Sequence, residues 1–223
     1  MAVPTLIYCS KGDIQFAEIA IKHGWLYGAQ QPGTIYFKPY FVDNNFKKPN
    51  RKRYMQALAE HRPYMASVVD WMDGHDWDEV LSWGEEAAQY VEVVMIIPKM
   101  QHTVHLVPDM IGGKPVRVGY SVATEYGGTE LMLSEFIGRP VHLLGGNPGL
   151  QMKLTHYLDV VSADGNMARK MAVKDGLWWL PGKRPFANRW VSFREMGEVV
   201  EDDIPRKAFE RSCINMMAAW LRN

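Results

Sequence analysis

Short apolar runs alternate along the chain with segments in which apolar residues recur every three or four positions. The runs have the length of buried parallel strands, and the segments between them have the periodicity of amphipathic helices. The pattern predicts strands over residues 5–9, 34–42, 64–70, 90–97, 116–122, 140–144 and 158–163. It predicts helices over residues 13–23, 51–61, 77–89, 129–137, 149–157 and 206–221, and a further helix that begins near Met167.

Strands that alternate with helices form βαβ units, and such units build a parallel sheet. The 223 residues of the chain lie near the lower length limit of a (β/α)8 barrel, about 200 residues. We therefore expect an α/β fold with a compact or incomplete TIM-type (β/α)8 barrel and a C-terminal helix. A doubly wound open sheet is the alternative, since spacing alone does not separate the two. The expected organisation is one domain over residues 1–223, with the basic and aromatic segment 178–194 and helix 206–221 as a C-terminal extension.

Composition narrows the possible function classes. Hydrophobic residues make up 47% of the chain and charged residues 22%, as in ordinary globular domains. No uncharged apolar run approaches the ~18–20 residues of a membrane span, and the first residues lack the features of a secretory signal. The two cysteines, Cys9 and Cys213, cannot form a multi-thiolate zinc site. We expect a cytoplasmic protein with no membrane contact, no metal and no cofactor.

The net charge is zero, but basic residues gather in two places. The first run, KKPNRKR, contains Lys47, Lys48, Arg51, Lys52 and Arg53. The second, KRPFANRWVSFR, contains Lys183, Arg184, Arg189 and Arg194, with Phe186, Trp190 and Phe193 among them. Clustered cations neutralise phosphates and aromatic rings stack on bases, so both runs are candidate nucleic-acid contacts. A solvated surface, with the aromatic rings in the core, is the equally weighted alternative.

Carboxylates follow three of the predicted strands. Asp43 comes after the run 34–42, Asp70 closes YMASVVD, and Asp164 follows LDVVSA. Active groups of α/β barrels and open sheets collect at the C-terminal ends of the strands, so a closed barrel would bring these acids to one mouth. Each acid also has a structural interpretation, because Asp164 suits a helix N-cap and Asp70 suits a turn.

The loop LLGGNPG, at residues 143–149, places two glycines at a strand end and a helix start beyond them. Glycine allows the backbone to approach a ligand closely, and a helix N-terminus favours anions or polar bases. A plain turn between strand and helix is the alternative. The loop lacks the spacing of a dinucleotide-binding fingerprint.

Four segments resemble the tRNA-guanine transglycosylase superfamily, and more closely its short, phage-type 7-deazaguanine DNA transglycosylase-like members. They are YMASVVDW (64–71), YVEVVMIIPK (90–99), VRVGYSV (116–122) and the run from Pro140 to Ala172. The resemblance implies a TIM barrel and a pentosyltransferase. Such an enzyme replaces guanine in a polynucleotide with a 7-deazaguanine through a covalent glycosyl-aspartate.

The resemblance also assigns roles to the three acids. It makes Asp164 the nucleophile, with Asp159 and Ser162 of the same segment as alternatives. Asp43, in VDNNF, becomes the acid/base group, and Asp70 becomes the group that recognises the base. The remaining expected substrate-binding residues are Lys99, Tyr120, Gly145, Gly146 and Asn147. The superfamily's cysteine-rich zinc motif is missing from the sequence, which favours DNA over tRNA as the nucleic-acid partner.

Two other functions stay open at this stage. A hydrolytic N-glycosylase or nucleoside-processing enzyme would use the same barrel and release the free base with water as acceptor. A non-catalytic nucleic-acid-binding module would keep its function after acid-to-amide substitutions.

Overall fold

Eight parallel strands pair side by side until the last meets the first. In the computed structural model, which describes residues 3–10, 12–45, 47–124, 128–183 and 187–222, the barrel closes because β5 pairs with β7 and β9 pairs with β1. The strands are β1 (Thr5–Ser10), β2 (Leu26–Gln30), β3 (Phe41–Asp43), β4 (Met65–Ser67), β5 (Val93–Ile96), β6 (Met110–Ile111), β7 (Lys114–Ser121), β8 (Pro140–Leu144) and β9 (Asp159–Gly165). Among these nine strands, β6 lies outside the barrel, as a short antiparallel partner of β7. The closed barrel confirms the predicted TIM-type fold over the open sheet.

The helical layer around the barrel is incomplete. The helices are α1 (Ile14–Lys22), α2 (Arg51–His61), α3 (Trp77–Ala87), α4 (Pro148–Leu154), α5 (Met167–Asp175) and α6 (Ile204–Trp220). The first five follow β1, β3, β4, β8 and β9, whereas the described connections after β2, β5 and β7 contain no α-helix. Within the described ranges, no helix has the length and apolar character needed to cross a membrane.

Polar side chains start three of the helices. The side chain of Asn50 accepts a hydrogen bond from the backbone of Arg53 at the start of α2. Asp76 and Asn147 do the same at the starts of α3 and α4. Such caps satisfy backbone N–H groups that a helix leaves without partners. They fix where each chain segment turns away from the C-terminal end of the barrel.

Alternate side chains of the strands point into the barrel and form an apolar interior. Its buried members are Ile7, Cys9, Phe41, Met65, Val93, Met95 and Ile97. At two glycines, the interior has no room for a larger side chain. A Cβ on Gly28 would lie 2.8 Å from Cγ2 of Ile7, and one on Gly119 would lie 2.8 Å from Cγ1 of Ile97.

The C-terminal helix α6 covers part of the outer surface of the barrel. Its Phe209 ring lies 5.2 Å from Tyr8 of β1 and 5.1 Å from Phe16 of α1. A two-stranded hairpin, β10 (Trp178–Pro181) and β11 (Asn188–Val191), packs on the same helix. The backbone of Trp179 donates to the Ser212 hydroxyl at 2.9 Å. The rings of Trp178, Trp179 and Phe193 are buried in the core.

Two predicted elements are wrong. The predicted strand 34–42 is mostly loop. A strand that the pattern does not predict, β2, lies before it, and its sequence LYGAQ lacks a strand pattern because Gly and Ala have low β-propensity. β3 retains only the last residues of the predicted run, after Pro39. The predicted helix 129–137 is a single 3-10 turn over Leu133–Phe136.

Gly119→Ala should lower the free energy of unfolding by about 1–3 kcal/mol, because the new methyl group overpacks a filled barrel. Gly165→Ala is the matched control, since a Cβ there meets nothing within 4 Å. Denaturant unfolding of both variants and of the wild type measures the difference. Equal stabilities of the two variants would contradict the tight interior described above.

Candidate functional site

The structure brings Asp43, Asp70 and Asp164 to the same mouth, at the C-terminal ends of the strands. Asp43 ends β3 and Asp164 lies next to the end of β9, both on positions that alternate into the barrel. Asp70 lies three residues beyond β4, where the chain still runs beside the extension of β5. The charges of Asp164 and Asp70 both raise the pKa of Asp43, so Asp43 interacts electrostatically with each of the other two carboxyl groups.

Asp43 lies between two hydrogen-bond donors from the neighbouring strands. Ser67 donates to Oδ1 at 2.9 Å and Gln30 donates to Oδ2 at 3.1 Å. Burial raises the pKa of Asp43 to about 7, with a further rise from the charge of Asp164. A carboxyl group with such a pKa exchanges its proton near neutral pH, as a general acid or base must.

Asp164 is held from the loop that follows β8. The backbone N–H of Gly145 donates to its Oδ1 at 2.8 Å, and the carboxylate is 8% exposed. Gln151 ties the same loop to β9, because its Nε2 donates to the carbonyls of Gly145 and Asp164, both at 2.7 Å. The thiol of Cys9 lies beside Asp164, and burial holds its pKa well above the usual range, so it stays a neutral thiol.

Asp70 differs from the other two acids because its carboxylate accepts no hydrogen bond from any residue that the structure describes. It is 8% exposed, and burial raises its pKa to about 6 against the opposing charges of Lys99 and His75. Lys99 donates to Ser121 and makes no ion pair with Asp70 within 4.0 Å. Burial lowers the pKa of Lys99, which Asp70 and Asp43 counteract. Asp70 and Lys99 thus place a hydrogen-bond acceptor and a donor near each other at the mouth.

Three other expected substrate-binding residues have structural roles. Tyr120 points outward from β7 and packs 5.1 Å from the ring of Phe136, which corrects its assignment to the mouth. The side chain of Asn147 caps α4 by accepting from Gly149. Gly146 has a φ of +85° and its Cβ would lie 2.4 Å from Val122, so packing alone requires glycine there.

The first basic run divides into surface and structural cations. Lys47, Lys48, Lys52 and Arg53 are exposed on the loop after β3 and the first turn of α2, which leave the barrel at its mouth. Arg51 is the exception, and its predicted contact with nucleic acid is corrected. Its Nε donates to Glu86 at 2.7 Å and its Nη2 donates to Ser82 at 2.9 Å, because the helix turns this residue toward α3.

The second basic run belongs to the hairpin. Arg189 is exposed and pairs with Glu195 at 3.2 Å. Phe193 is buried, so its proposed stacking on bases is corrected in favour of the core. Arg184 and Phe186 lie outside the described residues.

The alternatives to Asp164 occupy other levels of the barrel. Asp159 is exposed at the start of β9, at the opposite end from the mouth. Ser162 is 0% exposed and hydrogen-bonded inside the barrel.

The sequence pattern does not identify Gln30, Ser67 and His142, which contact or approach the acids. Their only signal is the alternation along each strand, which becomes readable once the register of the barrel is known. The described residues contain no group of three or more His, Cys, Asp or Glu side chains arranged for a metal ion.

These features define a TIM-type barrel with a mouth lined by buried acids. The chain belongs to DUF6610, a family of unknown function, and the match covers residues 20–221. No curated protein matches the chain. Among solved structures, it is similar to the mutually generated monomers of dimeric phosphoribosylanthranilate isomerase from Thermotoga maritima. The identity is 11%, the TM-score is 0.44, and the match covers 96% of this chain and 99% of the other.

Asp43→Asn should stabilise the protein at high pH and leave it unchanged at low pH. The unfolded chain ionises Asp43 near pH 4, whereas the folded protein keeps the proton up to about pH 7. Wild-type stability therefore falls as pH rises between these values, and the neutral amide escapes this loss. We expect a gain on the order of 2 kcal/mol at pH 8, after allowance for solvent screening at the mouth.

Denaturant unfolding at pH 4 and pH 8 measures this difference. Asp159→Asn is the control, because its carboxylate is exposed at the other end of the same barrel. A gain of equal size at both pH values would show that the Asp43 carboxyl group is not the cause.

Proposed function

We propose that this protein is a pentosyltransferase that exchanges guanine in DNA for a 7-deazaguanine base through a covalent glycosyl-aspartate. The observation that carries the proposal is a pair of electrostatically coupled carboxyl groups at the mouth, in different environments. Asp164 accepts a backbone N–H, whereas burial gives Asp43 a pKa of about 7. The motifs that resemble the transglycosylase superfamily assign the nucleophile and the acid/base group to these same residues.

Two such carboxyl groups suit exchange at an anomeric carbon, which passes through an oxocarbenium-like state. In the first step, a carboxylate oxygen of Asp164 bonds to C1′ and the bond from C1′ to the base breaks. Asp43 gives its proton to the departing base. In the second step, Asp43 takes a proton from the incoming base, whose nitrogen bonds to C1′ and displaces Asp164. The two steps balance without a nucleoside triphosphate or a redox partner.

Asp70 and Lys99 supply groups that suit the edge of a guanine-like base. Asp70 has acceptor atoms with no hydrogen-bond donor among the described residues, which fits the N1–H and the exocyclic amine of such a base. The ammonium group of Lys99 fits the neighbouring carbonyl oxygen. Adenine presents the opposite pattern at this edge, so the pair would select guanine and 7-deazaguanines.

A base inside a duplex must leave the base stack to reach the mouth of the barrel. The protein must therefore also bind the sugar–phosphate backbone of the nucleic acid. The exposed cations Lys47, Lys48, Lys52 and Arg53 lie on the loop and the first turn of α2, which follow Asp43 at the end of β3. Their position suits phosphates on either side of an extruded nucleotide.

Asp164→Asn should keep the fold and abolish both base exchange and the covalent adduct. An amide has nearly the same size, but it is a far poorer nucleophile, so we expect a loss on the order of 10³-fold or more. Asp70→Asn should mainly alter base selection, because an amide oxygen accepts while its nitrogen repels the N–H donors of the base. Incorporation of labelled guanine into duplex DNA measures exchange, and denaturing gels detect the adduct.

Asp159→Asn is the matched control in the same strand and should retain exchange. If Ser162→Ala abolishes exchange while Asp164→Asn retains it, the nucleophile is assigned to the wrong residue. Release of free guanine into water without incorporation of label would identify a hydrolytic N-glycosylase. Unchanged activity of all the acid variants would refute the transglycosylase proposal.

Replacement of Lys48 and Lys52 with Gln should weaken DNA binding and flatten its salt dependence. Each lost phosphate contact lowers the slope of log K against log salt by about one. The control replaces Lys153 and Lys174, in the last turns of α4 and α5, because these turns lie away from the mouth. Both double variants lose the same charge. Equal slopes for the two double variants would show that Lys48 and Lys52 make no specific phosphate contacts.

A further inference from the structure

We propose that His142, fixed by Ser162 and Arg117, is a positioning residue that orients the carboxylate of Asp164 from inside the barrel. The inference rests on the proposed function for its catalytic consequence, but the arrangement itself is independent of it. It concerns the layer of polar side chains directly below the mouth, which the mechanism above does not use.

Three strands contribute to this polar layer. His142 of β8 is 0% exposed, and its Nδ1 lies 2.7 Å from Oγ of Ser162 on β9. Arg117 of β7 donates from Nη1 to the same Oγ at 3.0 Å. On the other side of the ring, Nε2 of His142 lies 3.7 Å from Oδ1 of Asp164. Nε2 is buried and has no hydrogen-bond partner within the part of the chain that the structure describes, and Asp164 is the acceptor that it faces.

The contacts of Ser162 decide which ring nitrogen of His142 carries the proton. Arginine only donates, so the Ser162 oxygen accepts from Arg117. Ser162 has no third partner among the described residues, and its own proton therefore goes to Nδ1 of His142. A neutral ring that accepts at Nδ1 has its proton at Nε2. That N–H points toward Asp164.

The surroundings keep the ring neutral. Burial lowers the pKa of His142, and the charge of Arg117 lowers it further, while Asp164 opposes both. The other titratable groups that face Asp164 are the neutral thiol of Cys9 on β1 and the carboxyl group of Asp43 on β3. The ring thus acts as a fixed donor and not as a cation.

Two N–H groups therefore converge on one oxygen of the proposed nucleophile. Gly145 donates to Oδ1 at 2.8 Å, and His142 approaches the same Oδ1 from below. Hydrogen bonds at active sites often shorten only when substrate binds. With Oδ1 held in this way, Oδ2 is the oxygen that attacks C1′.

His142→Leu should reduce the rate of adduct formation by about 100-fold, the usual effect of a misplaced reacting group. The loss should appear in kcat and not in KM, because base recognition is unaffected. The acid limb of the pH–rate profile should move to higher pH, since a hydrogen-bond donor favours the ionised form of a carboxylate. His142→Gln places an amide N–H near the former Nε2 and should restore most of the rate.

Val141→Ala is the matched control for lost packing, because Val141 is a buried neighbour of His142 on the outward face of β8. It should lower stability without moving the acid limb. An acid limb that stays in place in His142→Leu, or moves equally in Val141→Ala, would overturn the positioning role.

Nitrogen-15 NMR of histidine-labelled wild-type protein tests the arrangement without any activity. We expect His142, assigned by its absence in His142→Gln, to stay neutral with the proton on Nε2 between pH 5 and 8. Asp164→Asn should shift this N–H signal, and Asp159→Asn should not. A proton on Nδ1, or a signal that ignores Asp164→Asn, would refute the arrangement. The expected spectra in a protein that forms no adduct would instead refute the proposed function alone.

Discussion

When β5 pairs with β7 and β9 pairs with β1, every second side chain of eight strands is forced into one enclosed space. Closure decides which residues meet, because positions far apart in the chain share a level of the barrel. Asp43 of β3 and Asp164 of β9 face each other across this enclosed space, whereas His142 and Ser162 are partners on the adjacent strands β8 and β9. The two interior glycines, Gly28 and Gly119, show how little volume remains. The polar groups at the mouth occupy the one end where this packing opens.

Burial of the acids works against the stability of the barrel. Desolvation disfavours the charged forms of Asp43 and Asp70, and the charge of Asp164 adds to the effect on Asp43. Hydrogen bonds from Ser67 and Gln30 offset part of the effect on Asp43. Such an arrangement is unfavourable for folding, and perturbed carboxyl groups of this kind concentrate at functional sites. The cluster itself therefore supports a chemical role more strongly than any single residue does.

The sequence predicts the barrel and its acids better than the contacts between them. Long apolar runs such as 90–97 identify buried strands, and an acid after such a run is visible without any structure. β2 escapes detection because its glycine, required by the filled interior, removes the pattern that marks a strand. Arg51 pairs with Glu86 whereas Lys52 is exposed, because only one side of α2 faces α3. No local sequence pattern specifies which side that is. The donors around Asp43 depend on the register of β3 with its neighbours β2 and β4, which no local sequence pattern specifies.

A mouth with three acids would repel a polynucleotide if all three were ionised and close to its phosphates. Burial reduces this conflict, because Asp43 with a pKa of about 7 and Asp70 with a pKa of about 6 carry less than full charge near neutral pH. Lys99 sets a positive charge against both of them. The exposed cations stand outside, on the loop and helix that follow β3, where the backbone of the proposed substrate would meet positive charge first. In the proposed reaction, only the extruded nucleotide enters the acidic interior, and its base replaces water next to Asp70. Under the proposed function, this separation of exposed cations from a partly protonated centre is what would allow a chain of zero net charge to bind an anionic substrate.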